Sequence, residues 1–247
     1  MTHSGIPCVL LCCGSFNPPT ILHLRMFEIA RDYLNENTDF EVIGGVLSPV
    51  HDSYGKKDLC ASDHRIEMAK LATSSSDWIG IDKWECAQSS WSRTVQVLRH
   101  LSRLLEVYLH RKEKISFKQY LSIYDLGHVQ CENPVADESR VMLLCGADLL
   151  ESFSVKDLWS TDDMTEILST FGMVVITRSG SDPFRYVYEN DLVYRYQKNV
   201  HIVTEWIPNE ISSTAIRRAL RRKASVRYLV SDAVLEYIEA NKLYTNS

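Results

Sequence analysis

Cys8 to Cys13 is an unbroken apolar run, CVLLCC, with the composition of a strand buried on both faces. It halts at Gly14-Ser15-Phe16-Asn17-Pro18-Pro19. From Thr20 the spacing turns helical, with Leu22, Met26, Ile29 and Tyr33 along one stripe. Further apolar runs predict strands at Val42 to Leu47, Trp78 to Ile81, Val141 to Cys145, Met173 to Thr177 and His201 to Thr204. Between them, helical spacing runs from an N-cap at Ser62 to about Ala72. Trp91 opens a long amphipathic helix with Val95, Leu98, Leu101 and Leu105 on one side, and Met164 to Phe171 is another. The chain closes with helices over Thr214 to Arg222 and Ser231 to Glu239. Strands alternating with helices of this length predict a parallel sheet wrapped on both faces. With right-handed crossovers this is an α/β, Rossmann-like doubly wound fold with a helical C-terminal part. Ligands of such sheets sit beyond the carboxyl ends of the strands, where Gly14 to His23 would lie.

From Tyr108 to Arg140 the pattern degrades. A charge run, His110 to Lys114, precedes a stretch without clear period and a polar segment, Asn133 to Ser139. It reads as a partly ordered insertion that the fold does not need. The 247 residues are otherwise expected to form one domain, 1–247, with the insertion at 108–140 inside it. The net charge of −5 argues against general nucleic-acid affinity. The first apolar run is too short for a membrane span and lacks a basic leader, so neither a span nor a signal peptide is expected. Seven cysteines without a C-x-x-C pair suggest reduced, buried thiols and a reducing compartment, cytoplasmic or nuclear.

The chemistry concentrates at two strand-to-helix turns. The first leaves free backbone N–H groups and a positive dipole end at the head of the sheet, with Thr20 and His23 on one face. In the second, Ser212, Ser213 and Thr214 precede a helix, as N-caps do. Three hydroxyls, free amides and a dipole there also make an anion site, with Arg217 one turn in to fork onto a phosphate. Asp148, after the strand ending at Gly146, is placed to accept ribose hydroxyls. Lys56 and Lys57 follow the second strand at the ligand end, and Arg178 ends a later one. Trp91 and Trp159 offer indole faces to a planar cation, although core packing is the ordinary use of tryptophan. The basic cluster Arg217, Arg218, Arg221, Arg222, Lys223 lacks interleaved aromatics, so a nucleic-acid role is not expected. No metal-ligand spacing, Walker A loop, G-x-S-x-G elbow or G-x-G-x-x-G fingerprint is present, which removes zinc hydrolases, P-loop kinases, serine hydrolases and dehydrogenase-type redox sites.

Gly14-Ser15-Phe16-Asn17-Pro18 with Thr20-Ile21-Leu22-His23 resembles the (H/T)-x-G-H phosphate-binding signature of the nucleotidylyltransferase superfamily. Leu22 stands where most members carry glycine, a departure shared by the eukaryotic nicotinamide-nucleotide adenylyltransferases. Ile211-Ser212-Ser213-Thr214-Ala215-Ile216-Arg217 matches the second signature, I-S-S-T-x-I-R, in full. The resemblance runs from Val9 to Tyr244, with the insertion outside it. It implies that ATP is held by Gly14, Ser15, Phe16, Thr20, His23, Ser213, Thr214 and Arg217. It also implies that the mononucleotide and the NAD product meet Ser15, Phe16, Lys56, Lys57, Trp91, Thr94 and Gly146. Asp148, Leu158, Trp159, Arg178, Glu205 and Asn209 complete that set.

The implied reaction joins ATP and nicotinamide mononucleotide, with the nicotinic acid analogue as a second acceptor, to give the dinucleotide and pyrophosphate. His23, Lys56 and Arg217 would carry catalysis by offsetting the repulsion of two anions, with Mg²⁺ held mainly by the ATP phosphates. His23 draws the strongest expectation, as the one motif residue with no capping or packing duty. Two other readings remain: a sister transferase with a different phosphate acceptor, or a nucleotide-binding, chaperone-like protein without turnover. A homo-oligomer is compatible with all of them.

Overall fold

The structure is a computed structural model and describes residues 5–111, 115–124, 139–178, 180–207 and 209–245. Its six strands are β1 (Ile6–Gly14), β2 (Phe40–Pro49), β3 (Ile79–Ile81), β4 (Arg140–Gly146), β5 (Met173–Ile176) and β6 (Val200–Val203). They pair in the order β3-β2-β1-β4-β5-β6, every pairing parallel. The first three strands build outward from β1 to one side. β4 then returns to its other side, in register Val9 with Val141 and Leu11 with Leu143. The reversal leaves a crevice beyond the carboxyl ends of β1 and β4, the ligand position of doubly wound sheets.

The continuous apolar run of β1 has a simple cause. Val9 and Leu11 enter one hydrophobic cluster, and Cys8, Leu10 and Cys12 enter the cluster on the opposite face. With no face left to water, the period-two alternation of a half-buried strand disappears. Helix α1 (Ile21–Asn37) buries Phe27, Ile29, Ala30 and Leu34 in the second cluster and Leu22 beside it, while Met26 and Tyr33 of the expected stripe stay half-buried. Helix α2 (Ser62–Thr73) starts one residue earlier than expected: Ala61 is its N-cap, and Ser62, already helical, donates to Asp52. Helix α3 (Thr94–His110) buries Val95, Leu98, Leu101 and Leu105 as its spacing predicts, but Trp91 lies before it on a loop.

The segment from Tyr108 is a correction. Tyr108 to His110 are the last turn of α3, and a further helix, α4 (Phe117–Ile123), packs Phe117 and Tyr120 into the core. A Cβ on Gly44 of β2 would lie 2.7 Å from the Phe117 ring, so the strand and helix meet where only glycine fits. The sequence pattern fails here because a helix of about two turns with two anchoring aromatics is too short to show a period. Residues 112–114 and 125–138, including most of the charge run and the polar stretch, lie outside the described residues.

After β4 come α5 (Ala147–Glu151) and α6 (Thr161–Glu166), the latter widening into a π turn over Ile167–Phe171. Two helices the periodicity does not predict, α7 (Pro183–Glu189) and α8 (Asp191–Arg195), fill the crossover to β6. Helices α9 (Ser213–Arg221) and α10 (Asp232–Ala240) pack with α2 around a third cluster built on Met68, Ile216 and Val234.

Candidate active site

The site is built from strand ends. Gly14 closes β1 and Gly146 closes β4, Lys56 follows β2, Arg178 follows β5, and Glu205 follows β6. A cleft of about 330 Å³ opens there, lined by Leu22, Gly146, Thr177, Arg178, Phe184, Glu205 and Asn209 among others. Four of these, Gly146, Arg178, Glu205 and Asn209, carry sequence expectations, and Leu22, the residue in the place of the usual glycine, forms part of the wall. A Cβ on Gly146 would fall 2.5 Å from the exposed Asp148 carboxylate, which would have to swing aside.

The turn after β1 is tightly held. Phe16 is buried in the left-handed region, φ 44°, a conformation unfavourable for a bulky residue and sustained by its surroundings. Its ring meets the His23 ring edge-on at 5.3 Å. Buried Asn17 receives Cys60 N–H at 3.3 Å and the Tyr244 hydroxyl at 2.7 Å on its Oδ1, and donates to the Asp58 carbonyl at 2.7 Å. Arg65, fully buried, donates to the carbonyls of Ser15, Val50 and Cys60 and to Asp52, locking the β1 and β2 loops together. No local signal identifies Arg65, which sits inside an ordinary helical stretch and whose partners lie on three other segments.

His23 has a capping duty after all. Thr20 is the N-cap of α1, and His23, at the third helical position, accepts the Thr20 amide on Nδ1 at 3.0 Å, with the Thr20 hydroxyl 2.8 Å away. A ring nitrogen that accepts an amide N–H carries no proton, so the imidazole proton sits on Nε2. Burial pushes the pKa down to about 4, and the positive charges of Arg178 and Lys56 push the same way. His23 is therefore a neutral donor near pH 7, and two cations from β2 and β5 loops bear on it. Lys56 Nζ also donates to Ser15 Oγ at 3.3 Å.

The free amides expected at α1 are mostly taken. Thr20 N–H goes to His23, Ile21 N–H to the Leu229 carbonyl at 3.2 Å, and His23 N–H to the Thr20 carbonyl at 3.1 Å. The second motif is similarly occupied. Ser212 Oγ caps Ala215 N–H, Ser213 Oγ donates to the Pro18 carbonyl at 2.8 Å, and Thr214 Oγ1 lies 3.5 Å from Arg217 Nη2. Arg217 is buried and donates through Nη1 to the Asn17 carbonyl at 2.8 Å, leaving Nε without a partner. The guanidinium thus bolts the two motifs together, with Nη1 on Asn17, Nη2 near Thr214 and Nε unpaired. The arrangement is one of two motifs locked into a single turn-and-helix unit, visible only once the chain has folded.

A family model for cytidylyltransferase-like proteins matches residues 11–219. The nicotinamide/nicotinic acid mononucleotide adenylyltransferase 1 of Bos taurus is 45% identical over 96% of this chain and 89% of its own length. The chain belongs to this adenylyltransferase family. The corresponding Arabidopsis thaliana enzyme is 39% identical, over 96% of this chain and 90% of its own. The solved Plasmodium falciparum nicotinic acid mononucleotide adenylyltransferase complexed with NaAD shares the fold, at TM-score 0.62 and 15% identity over 96% of this chain and 97% of that one.

The adenylyltransferase residues expected farther from the turn fall into separate groups. Trp91 is 44% exposed, its amide donating to Ser53 Oγ at 2.9 Å and its ring 6.2 Å from Tyr54. Trp159 is half-buried, its Nε1 donating to Ser152 Oγ at 3.0 Å and its ring 5.0 Å from Phe153. Leu158, Lys57 and Asp148 are exposed, and Thr94 is the first residue of α3. What joins the two indole segments is an ion pair that sequence reading misses: Arg93 Nη1 donates to both Asp163 oxygens, at 2.8 and 2.9 Å. Glu205 is not a free ligand group, since it pairs with Arg25 at 3.0 Å and accepts Ile207 N–H. Asn209 accepts Ile211 N–H at 3.1 Å, shaping the entry to the second motif. Among the described residues no helix is long and apolar enough to cross a membrane, and no group of three His, Cys, Asp or Glu side chains could hold a metal ion.

Proposed function

We propose that this chain transfers the adenylyl group of ATP to nicotinamide mononucleotide, and to its nicotinic acid analogue, forming the dinucleotide and pyrophosphate. The observation that carries this reading is the meeting of His23, Lys56 and Arg178 at the crevice between β1 and β4, in a member of a family named for that reaction. A mononucleotide phosphate is already a nucleophile at neutral pH, so no activated side chain is needed. One of its oxygens bonds to the α-phosphorus of ATP, the α–β bridging bond breaks, and pyrophosphate departs with the electron pair. The chain's contribution is placement and charge. Holding two anions in line supplies about 7–11 kcal/mol of the barrier reduction. His23 Nε2–H, Lys56 and Arg178 offset charge on the transferring group, and the first-turn amides of α9 meet the departing phosphates. In this reading Trp91 and Trp159 border the pyridine ring, Asp148 meets a ribose, and Arg217 braces the phosphate turn. A divalent cation would ride on the ATP phosphates, because the described side chains offer it no cage.

The deciding experiment supplies purified protein with ATP, Mg²⁺ and nicotinamide mononucleotide, beside His23→Ala. The wild type should form NAD, and the variant should lose about 10²–10³-fold in kcat, the effect of removing one donor aimed at developing charge. Because His23 also caps α1, the variant's thermal midpoint is measured in parallel. Near-normal turnover in a folded variant removes His23 from the mechanism. ATP binding without NAD formation would move the search to another acceptor.

A further inference from the structure

Three kinds of contact hold Asn17. Its backbone carbonyl takes Arg217 Nη1 from the second motif. Its side-chain amide is tied to the loop after β2, through the Asp58 carbonyl and Cys60 N–H. The third is the shortest contact to its Oδ1: the Tyr244 hydroxyl, 2.7 Å away and far along the chain, in the turn that follows α10. Asn17 itself is 1% exposed, so no water can stand in for a lost partner without the turn opening. Three residues on is Thr20, the N-cap whose amide holds the His23 ring.

We propose that Tyr244 is a positioning residue for the phosphate-binding turn, its hydroxyl fixing Asn17 and, through the turn, the aim of His23. The proposal rests on the adenylyl-transfer reading for its kinetic consequence, but not for its structural one. The Tyr244 ring packs with Leu243 against the cluster of α2, α9 and α10, so packing and hydrogen bonding can be separated. Burial pushes the hydroxyl's pKa upward, which keeps it a donor at all working pH values.

The test is Tyr244→Phe, which keeps the ring and removes the donor, made in the wild type and in Asn17→Ala. One net hydrogen bond corresponds to roughly a 3- to 10-fold change. Tyr244→Phe should lower kcat by that factor, leave both KM values within about twofold, and lower the thermal midpoint by a few degrees at most. In the Asn17→Ala background it should have no further effect, because the partner is gone. Amide hydrogen exchange gives a reading independent of turnover: exchange should rise in the 14–24 segment alone. Unchanged kcat with unchanged exchange overturns the proposal, as does an equal loss in both backgrounds or a general rise in exchange across α9 and α10. A wild type that forms no NAD refutes the functional reading, and the exchange pattern then decides the role of Tyr244 alone.

Discussion

His23 combines two duties that pull on the same ring. Nδ1 closes the capping box with Thr20, and that bond fixes the tautomer that leaves Nε2–H to donate. A protonated ring would sit in a buried place beside Arg178 and Lys56, which is why its pKa falls to about 4 although the bond with Thr20 opposes the shift. An NMR titration of the imidazole should show a midpoint near 4 in place of the ordinary 6.5. A midpoint near 6.5 would mean that the ring is not held against Thr20, and the donor assignment would go with it. Arg217 shows the same doubling of roles, since the guanidinium expected to grip phosphate spends Nη1 on the Asn17 carbonyl. Motif residues were legible as a set from the sequence, but their individual bonds depend on partners at distant positions.

At the scale of elements, the mononucleotide end is set by α3 and α6. Trp91 precedes the first and Trp159 the second, and the helices are tied by Arg93 to Asp163 and by Arg99 to Glu166. Asp163 is buried while Arg93 is half exposed, so neutralising the acid frees Arg93 to swing into water. Asp163→Asn should therefore raise the KM for the mononucleotide about 3- to 10-fold and leave that for ATP unchanged, since a net charged hydrogen bond contributes roughly 1.5–3 kcal/mol, partly lost here to solvent. Steady-state kinetics with each substrate varied in turn would check this. A shift confined to ATP would place the two indole segments elsewhere in the mechanism. Helix α4 makes a different point about elements. Phe117 is fully buried against Gly44, so Phe117→Ala should cost about 3–5 kcal/mol, read by urea denaturation. A cost below about 1 kcal/mol would restore the view that the fold does not need this segment.

For the whole molecule, stability against pH carries two opposing contributions. His23 has a folded pKa near 4 against 6.5, so the unfolded chain binds the extra proton between those values, and stability falls as pH drops through that window. Glu85, buried beneath the β2 loop near Ser48, is raised by burial from 4.5 to about 7, with hydrogen bonds from His51 and Ser48 opposing. Here the folded chain binds the extra proton, so the contribution is present below 4.5 and is lost as pH rises through 7. Glu85→Gln should remove that loss, and its stability relative to the wild type should rise by about 1–3 kcal/mol between pH 5 and 8. Denaturant midpoints across that range give the test, and a difference independent of pH would show that Glu85 does not titrate there.

The strands, the parallel character of their sheet and the two phosphate motifs were readable from the chain alone, because each rests on local rules. An apolar run buried on both faces, a Gly/Pro stop and a change from continuous to helical spacing all lie within a few residues of one another. What lay beyond the sequence has a common cause. Arg65 under Ser15, Arg217 on Asn17, Arg25 on Glu205, Arg93 on Asp163 and Tyr244 on Asn17 each join segments far apart in the chain. A charged or hydroxyl side chain has no preferred partner until the fold brings one within about 3 Å, so its choice between solvent, ligand and a buried brace belongs to tertiary structure. The sequence by itself determined the sheet, the turn that heads it and the family's chemistry. Only the folded chain decided which of the motif's polar groups hold the turn in place and which remain free to meet phosphate.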